Sequence, residues 1–310
     1  MGQAKVKRPT TPQGWAIRLS QLVKVFHELH GLDRFPIDVS AVASEFSANV
    51  FPDEPITLIE GQAFDRFEGA LIPHPARQGE WGIFYNSALS SKGRINFTLA
   101  HELGHYLLHR QLSGEPIFCA KSDMWAWDSD YGLMEAQANE FASFLLMPLD
   151  DFRAQVSGLD LPNIGAFEFL RKRYEVSLTA AILKWLDITK KRAMIVVSRD
   201  GFIDWSWGSK PLLRSGVFFR ARQTVIPVPD GSLASGKVSI SDPVIGTQLA
   251  EGVWAERESV FESTIFSEYH DMAISLLIYP HDPPRRLFGC DEEEEDDRPF
   301  DTFDQFMRNQ

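Results

Sequence analysis

An α+β fold is predicted by three observations: apolar residues at helical spacing through much of residues 14–186, short β-rich runs among turn residues from about residue 191, and a closing run of acids. They divide the 310-residue chain into an α-rich domain with a small sheet over residues 1–190, a β-rich domain over 191–288 and an acidic tail over 289–310. With 44% hydrophobic residues, a chain of this length can bury one large core or two modest ones.

The elements follow in order. Trp15, Leu19, Leu22, Phe26 and Leu29 alternate spacings of four and three, predicting a helix over residues 14–30 with one apolar stripe for the core, flanked by His27 and His30 as surface residues. Asp38 is placed to cap a shorter helix over residues 39–46. Strand-like pieces at 67–72 and 81–85 are punctuated by Pro73, Pro75 and Gly79. Ile95, Phe97, Leu99, Ala100, Leu103, Leu107 and Leu108 then describe a largely buried helix. Residues 111–132, with Trp125, Trp127 and several aspartates, read as a loop able to form a rim or lid, and 134–147 as a second helix ended by Pro148. Helical patterns at 149–156, 164–174 and 177–186 close the α-rich part. Beyond it, residues 194–207 read as a hairpin turning at Asp200-Gly201, and residues 217–219, 225–228, 238–240, 258–264 and 272–279 as short strands.

Charge and cysteine usage narrow the function classes. A net charge of -12 disfavours direct nucleic acid binding, which calls for clustered Lys and Arg. Much of the excess lies in residues 291–310, with nine acids and two bases, a self-repelling and solvated segment. No apolar run approaches the roughly 18 residues of a membrane span, and the first dozen residues lack the apolar centre of a signal peptide. Cys119 and Cys290 are too few for a disulfide framework, so a cytoplasmic setting is expected. Nothing in the sequence fixes an oligomeric state.

The chemistry concentrates in His101-Glu102-Leu103-Gly104-His105, an HExxH pattern. Residues four apart share a helix face, so His101 and His105 can reach one Zn²⁺, with Glu102 one step round the helix, placed to act as general base. Gly104 costs a helix about 1 kcal/mol relative to Ala, a cost understandable where another backbone comes close. A catalytic zinc takes a third protein ligand and keeps its fourth position for water. Glu135 is the candidate: with Ala138 and Ala142 it lies on one face of the second helix, where small residues permit close approach. Glu140 lies on a different face, and Cys119 is a weaker alternative. Residues 81–86 form either a core strand or an edge able to receive a substrate as an added strand. Tyr85, Tyr106, Tyr131 and His270 are the groups chemically able to stabilise an oxyanion.

Two stretches together resemble the ImmA/IrrE family of metallopeptidases: Phe97-Thr98-Leu99-Ala100-His101-Glu102-Leu103-Gly104-His105-Tyr106-Leu107-Leu108-His109, and Glu135-Ala136-Gln137-Ala138-Asn139-Glu140-Phe141-Ala142 running on to Pro148. The resemblance is strong over residues 72–148, extends through the helices to 187 and fades beyond. It implies a zincin-like, thermolysin-like site in which His101, His105 and Glu135 bind one Zn²⁺ and Glu102 is the base, with supporting roles for Asn139 and Phe141. It also implies a zinc endopeptidase acting on a protein substrate, a DNA-binding repressor of the helix-turn-helix type, with the β-rich domain in a regulatory or sensor role. The competing expectation is a non-proteolytic regulatory binding protein in which zinc only braces the fold. A bracing zinc is usually filled by four protein ligands and needs no adjacent base, so Glu102 separates the two.

Overall fold

The computed structural model describes residues 8–65, 67–111, 117–120, 130–158, 162–221, 223–238, 240–267 and 271–281, with the backbone alone at 117–120 and 130–131. The acidic tail, Cys290, His270 and the tryptophans of the expected rim lie outside the described residues, as do the side chains of Cys119 and Tyr131. The fold is α+β and divides into two compact units, one of Met1–Gly158 with Leu170–Ser177, the other of Leu159–Phe169 with Leu178–Gln310.

The first unit opens with α1 (Pro12–His30), whose N-cap Thr11 accepts from the Gly14 amide and whose end is turned by Gly31 in the left-handed region at φ 66°. Its buried line advances by fours, through Pro12, Ala16 and Ser20 and through Trp15, Leu19 and Val23. The step of three from Leu19 to Leu22 rotates Leu22, Phe26 and Leu29 off that line, and they are 51%, 49% and 78% exposed, so only the first half of the expected stripe is core. His30 is exposed, as expected, and His27 is half-buried. Asp38 caps α2 (Val39–Val50) through the Ala41 amide at 3.0 Å.

Four strands follow in a sheet: β1 (Ile56–Gln62), β2 (Phe67–Pro73), β3 (Trp81–Asn86) and, after helix α3 (Lys92–Leu108), β4 (Ile117–Ala120). Their order is β1-β3-β2-β4, with β1 parallel to β3 and β2 antiparallel to both β3 and β4. Residues 81–86 are therefore a central strand, the core-strand alternative, and the edge reading is corrected. β1 carries no strand signal in the sequence: of its seven residues only Ile56 is buried, so it lacks the apolar alternation that announces a strand. The loop expected over 111–132 contains β4 and the first turn of α4 (Asp130–Leu146). Trp15, Phe46, Phe51, Trp81 and Tyr106 meet with ring centroids 5.8–6.4 Å apart, mostly edge to face, the preferred geometry of aromatic packing. Helix α5 (Leu149–Val156) follows Pro148.

Helix α6 (Phe167–Tyr174) straddles the division between the units, and α7 (Leu178–Ile188) belongs to the second. That unit is built on an antiparallel sheet of β5 (Ala193–Arg199), β6 (Phe202–Gly208), β7 (Thr247–Leu249), β8 (Val260–Ser267) and β9 (Met272–Ile278), in the order β6-β5-β9-β8-β7. Asp200 and Gly201 join β5 to β6 with φ 50° and 80°, the positive values a tight two-residue hairpin demands. Met194, Val196, Leu212, Trp254, Val260 and Leu277 share its core, with Leu212 supplied by the short helix α8 (Lys210–Arg214). Residues 217–219 and 225–228 are not strands: Val217, Phe219 and Ile226 pack as irregular chain against this core, and Pro227, which has no amide proton, makes only an isolated bridge to Phe202. Val238 and Ile240 are not in strand conformation, and residue 239 between them lies outside the described residues. Glu262, fully buried, accepts from the amides of Leu233 and Ala234, the Trp254 indole and the Thr264 hydroxyl, fastening the long connection onto β8.

Candidate metal centre

Helices α3 and α4 pack closely because the residues between them are small. A Cβ on Gly104 would stand 3.0 Å from the Phe141 ring, 3.1 Å from Ala138 Cα and 3.2 Å from its carbonyl oxygen, so the glycine admits the second backbone. Ala138, Phe141 and Ala142 are fully buried there. This approach brings Glu135 from α4 against His101 and His105 from α3.

The three side chains form a compact triangle. His101 Nε2 and His105 Nε2 are 2.9 Å apart, and the Glu135 carboxylate lies 3.3 Å from the first and 3.1 Å from the second. Tetrahedral ligands about 2.0–2.1 Å from a zinc ion stand roughly 3.3 Å from one another, so the edges fit a metal within a few tenths of an ångström. Two imidazole lone pairs at 2.9 Å beside a carboxylate repel unless a proton or a cation lies among them. All three residues are buried, and the cluster could hold a metal ion. Glu140 points elsewhere, accepting from the Gln13 amide of α1.

Burial and charge set the protonation of the metal-free cluster. Burial disfavours a charged His101, but the Glu135 charge and hydrogen bond outweigh it, and its pKa is raised to about 9. His105, with burial joined by the His101 charge, is lowered to about 4 against the pull of its Glu135 hydrogen bond. Burial would raise Glu135, yet the charge of His101 and hydrogen bonds from both histidines hold it well below the usual carboxylate range.

The outer ring nitrogens are also engaged. His101 Nδ1 lies 2.8 Å from Asn139 Oδ1, in accord with the supporting role expected of Asn139. His105 Nδ1 lies 3.0 Å from His109 Nδ1. Glu102 is fully buried on the side of α3 that packs on β2, where Gly69 is what makes room: a Cβ there would stand 2.6 Å from Glu102 Oε1 and 2.5 Å from Thr98 Cγ2. Gly69 and His109 were not singled out from sequence, although an isolated glycine within a strand pattern marks a close approach. Among the expected oxyanion stabilisers, Tyr106 is fully buried and donates to the Glu54 carbonyl at 2.6 Å, and the Tyr85 ring covers Gly61 of β1. The Tyr106 hydroxyl is thereby committed away from the role, and Tyr131 and His270 lie outside the described side chains.

An HExxH helix, a facing helix with a buried carboxylate and a strand pressed on the acid of the motif define a metallopeptidase-like domain. Residues 64–186, which contain every one of these parts, match the family model of peptidase M78, the IrrE N-terminal-like domain, so this region of the chain is a domain of the ImmA/IrrE metallopeptidase family. The match begins eight residues before the stretch of strong resemblance and leaves the sheet of the second unit outside it. No curated protein matches the chain.

Proposed function

We propose that the protein is a zinc-dependent endopeptidase that cleaves a helix-turn-helix DNA-binding repressor and so relieves repression. The observation carrying this reading is the buried triangle of His101, His105 and Glu135 with Glu102 beside it. Zinc held by those three ligands would supply Lewis acidity toward the scissile carbonyl and the attacking water. Glu102 takes the proton of that water on a carboxylate oxygen and delivers it to the leaving amine nitrogen. Asn139 holds the His101 ring by its Nδ1, and the tight α3–α4 contact at Gly104 fixes the distance of Glu135 from both histidines. A bracing metal would have no use for a buried acid at this position, which favours the peptidase over the non-proteolytic alternative. The repressor follows from the family resemblance, and a regulatory or sensor role is proposed for residues 191–288. Among the described residues no helix is long and apolar enough to cross a membrane.

The test is incubation of the purified protein, loaded with zinc, with helix-turn-helix repressors encoded by the same genome. Discrete products that disappear with a chelator and with Glu102→Gln support the reading. Intact repressors alongside cleavage of an unrelated protein would redirect the substrate, and no metal-dependent cleavage of any protein would remove the peptidase.

A further inference from the structure

His109 follows His105 by four residues and caps α3, its amide donating to the His105 carbonyl. It is 1% exposed, too buried for a solvated surface histidine. Each ring nitrogen meets a defined partner: Nδ1 lies 3.0 Å from His105 Nδ1, and Nε2 lies 2.9 Å from Gln137 Oε1 on α4. A carbonyl oxygen can only accept, so His109 Nε2 carries the proton and His109 Nδ1 is left as a lone pair. His105 Nδ1 must then be the donor toward it. The remaining nitrogen of His105, Nε2, is left with its lone pair directed at Glu135 and His101, where a metal would be bound.

We infer that His109 and Gln137 form a two-link hydrogen-bond relay that holds His105 in the one tautomer able to ligate a metal and fixes the rotation of its ring. The inference rests on the reading of the triangle as a metal site. His101 reaches the same end through a single link, its Nδ1 to Asn139. The acceptors ending both paths, Asn139 and Gln137, are uncharged amides. Glu135 is then the only anionic ligand, and the electron-withdrawing power of the metal is not blunted by a carboxylate behind either imidazole. His109 and Gln137 are positioning residues: they touch neither metal nor substrate, and act by deciding which His105 nitrogen is free.

Substitutions at Gln137 separate the relay from simple packing between helices. Gln137→Met keeps the length of the side chain and removes the acceptor; Gln137→Glu keeps the acceptor and strengthens it, but sets a charge in a half-buried place. For packing alone, Met is the milder change. For the relay the order reverses: zinc affinity, measured on the full chain by competition with a chromophoric chelator, falls about 10–100-fold in Gln137→Met and is retained or tightened in Gln137→Glu. Long-range proton–nitrogen NMR of the zinc-loaded protein supplies an independent readout, expected to show His109 protonated on Nε2 and His105 on Nδ1. Unchanged affinity in Gln137→Met, a loss in Gln137→Glu as large as in Gln137→Met, or a His109 proton on Nδ1 each overturns the relay while leaving the metal site standing. An unsubstituted protein that takes up no zinc at all overturns the metal reading and the relay together.

Discussion

Replacing Gly69 by alanine tests whether β2 positions the acid of the site. The added methyl would stand 2.5 Å from Thr98 Cγ2, 2.6 Å from Glu102 Oε1 and 3.1 Å from Glu102 Cγ. Carbon contacts settle at about 3.5–4.0 Å, so either α3 retreats from β2 by roughly 1 Å or both side chains rotate away. Strain of this kind costs about 1–3 kcal/mol of stability, which a packed domain can bear. The effect on chemistry is larger, because misplacing a reacting group by about 1 Å costs on the order of 10²-fold in rate. The atoms nearest the methyl belong to Thr98 and Glu102 on α3, not to Glu135 on the opposite helix. Gly69→Ala is therefore expected to bind zinc at full stoichiometry while its kcat on a repressor cleaved by the unsubstituted protein falls about a hundredfold. Metal content by elemental analysis and single-turnover cleavage on the same preparation give the answer. Cleavage at the unsubstituted rate would refute the reasoning, and so would a variant that loses its zinc, since the strand would then be supporting the ligands rather than the acid.

Three further outcomes follow from the geometry. Glu102→Gln is nearly isosteric and should retain zinc while losing roughly 10²–10⁴-fold in cleavage rate, and an unchanged rate would remove Glu102 as the base. Glu135→Ala should lose its metal, whereas Glu140→Ala, which gives up a bond to Gln13 away from the triangle, should keep it; elemental analysis of the two distinguishes them. The apparent zinc affinity should depend on pH in a defined direction. Without metal, His101 has its pKa raised to about 9 and His105 lowered to about 4, so at neutral pH one proton occupies the triangle and zinc must displace it. Affinity then rises about tenfold per pH unit between roughly pH 5 and 8 and levels off once His101 is deprotonated, and a flat profile in chelator competition would contradict the assignment.

Much of the site was legible in sequence because its signals are local. The four-residue step from His101 to His105 fixes their common face, and Gly104 together with Ala138 and Ala142 announces two helices in close contact. Asp38 as a cap and Asp200-Gly201 as a hairpin turn were legible for the same reason, each requiring a particular residue at a particular backbone geometry. What escaped depends on partners distant in the chain. β1 exists because it pairs with β3, and its mostly exposed side chains carry little apolar pattern. That pairing is also what makes residues 81–86 a central strand. On α1, Leu22, Phe26 and Leu29 are as apolar as Trp15 and Leu19, and only the direction of the contact line decides which are covered. In the second unit, Val217, Phe219 and Ile226 are drawn to the core by their apolarity, without the continuous ladder that would make their segments strands.

The central claim, that His101, His105 and Glu135 hold a catalytic zinc, is tested most directly by a crystal structure of the zinc-loaded protein with diffraction recorded on both sides of the zinc absorption edge. The expected result is one anomalous peak per chain, about 2.0–2.1 Å from the Nε2 atoms of His101 and His105 and about 2.0–2.2 Å from a Glu135 oxygen, with no fourth protein ligand and Glu102 adjacent but not bonded to it. A peak elsewhere, or a zinc closed off by four protein side chains, would contradict the account.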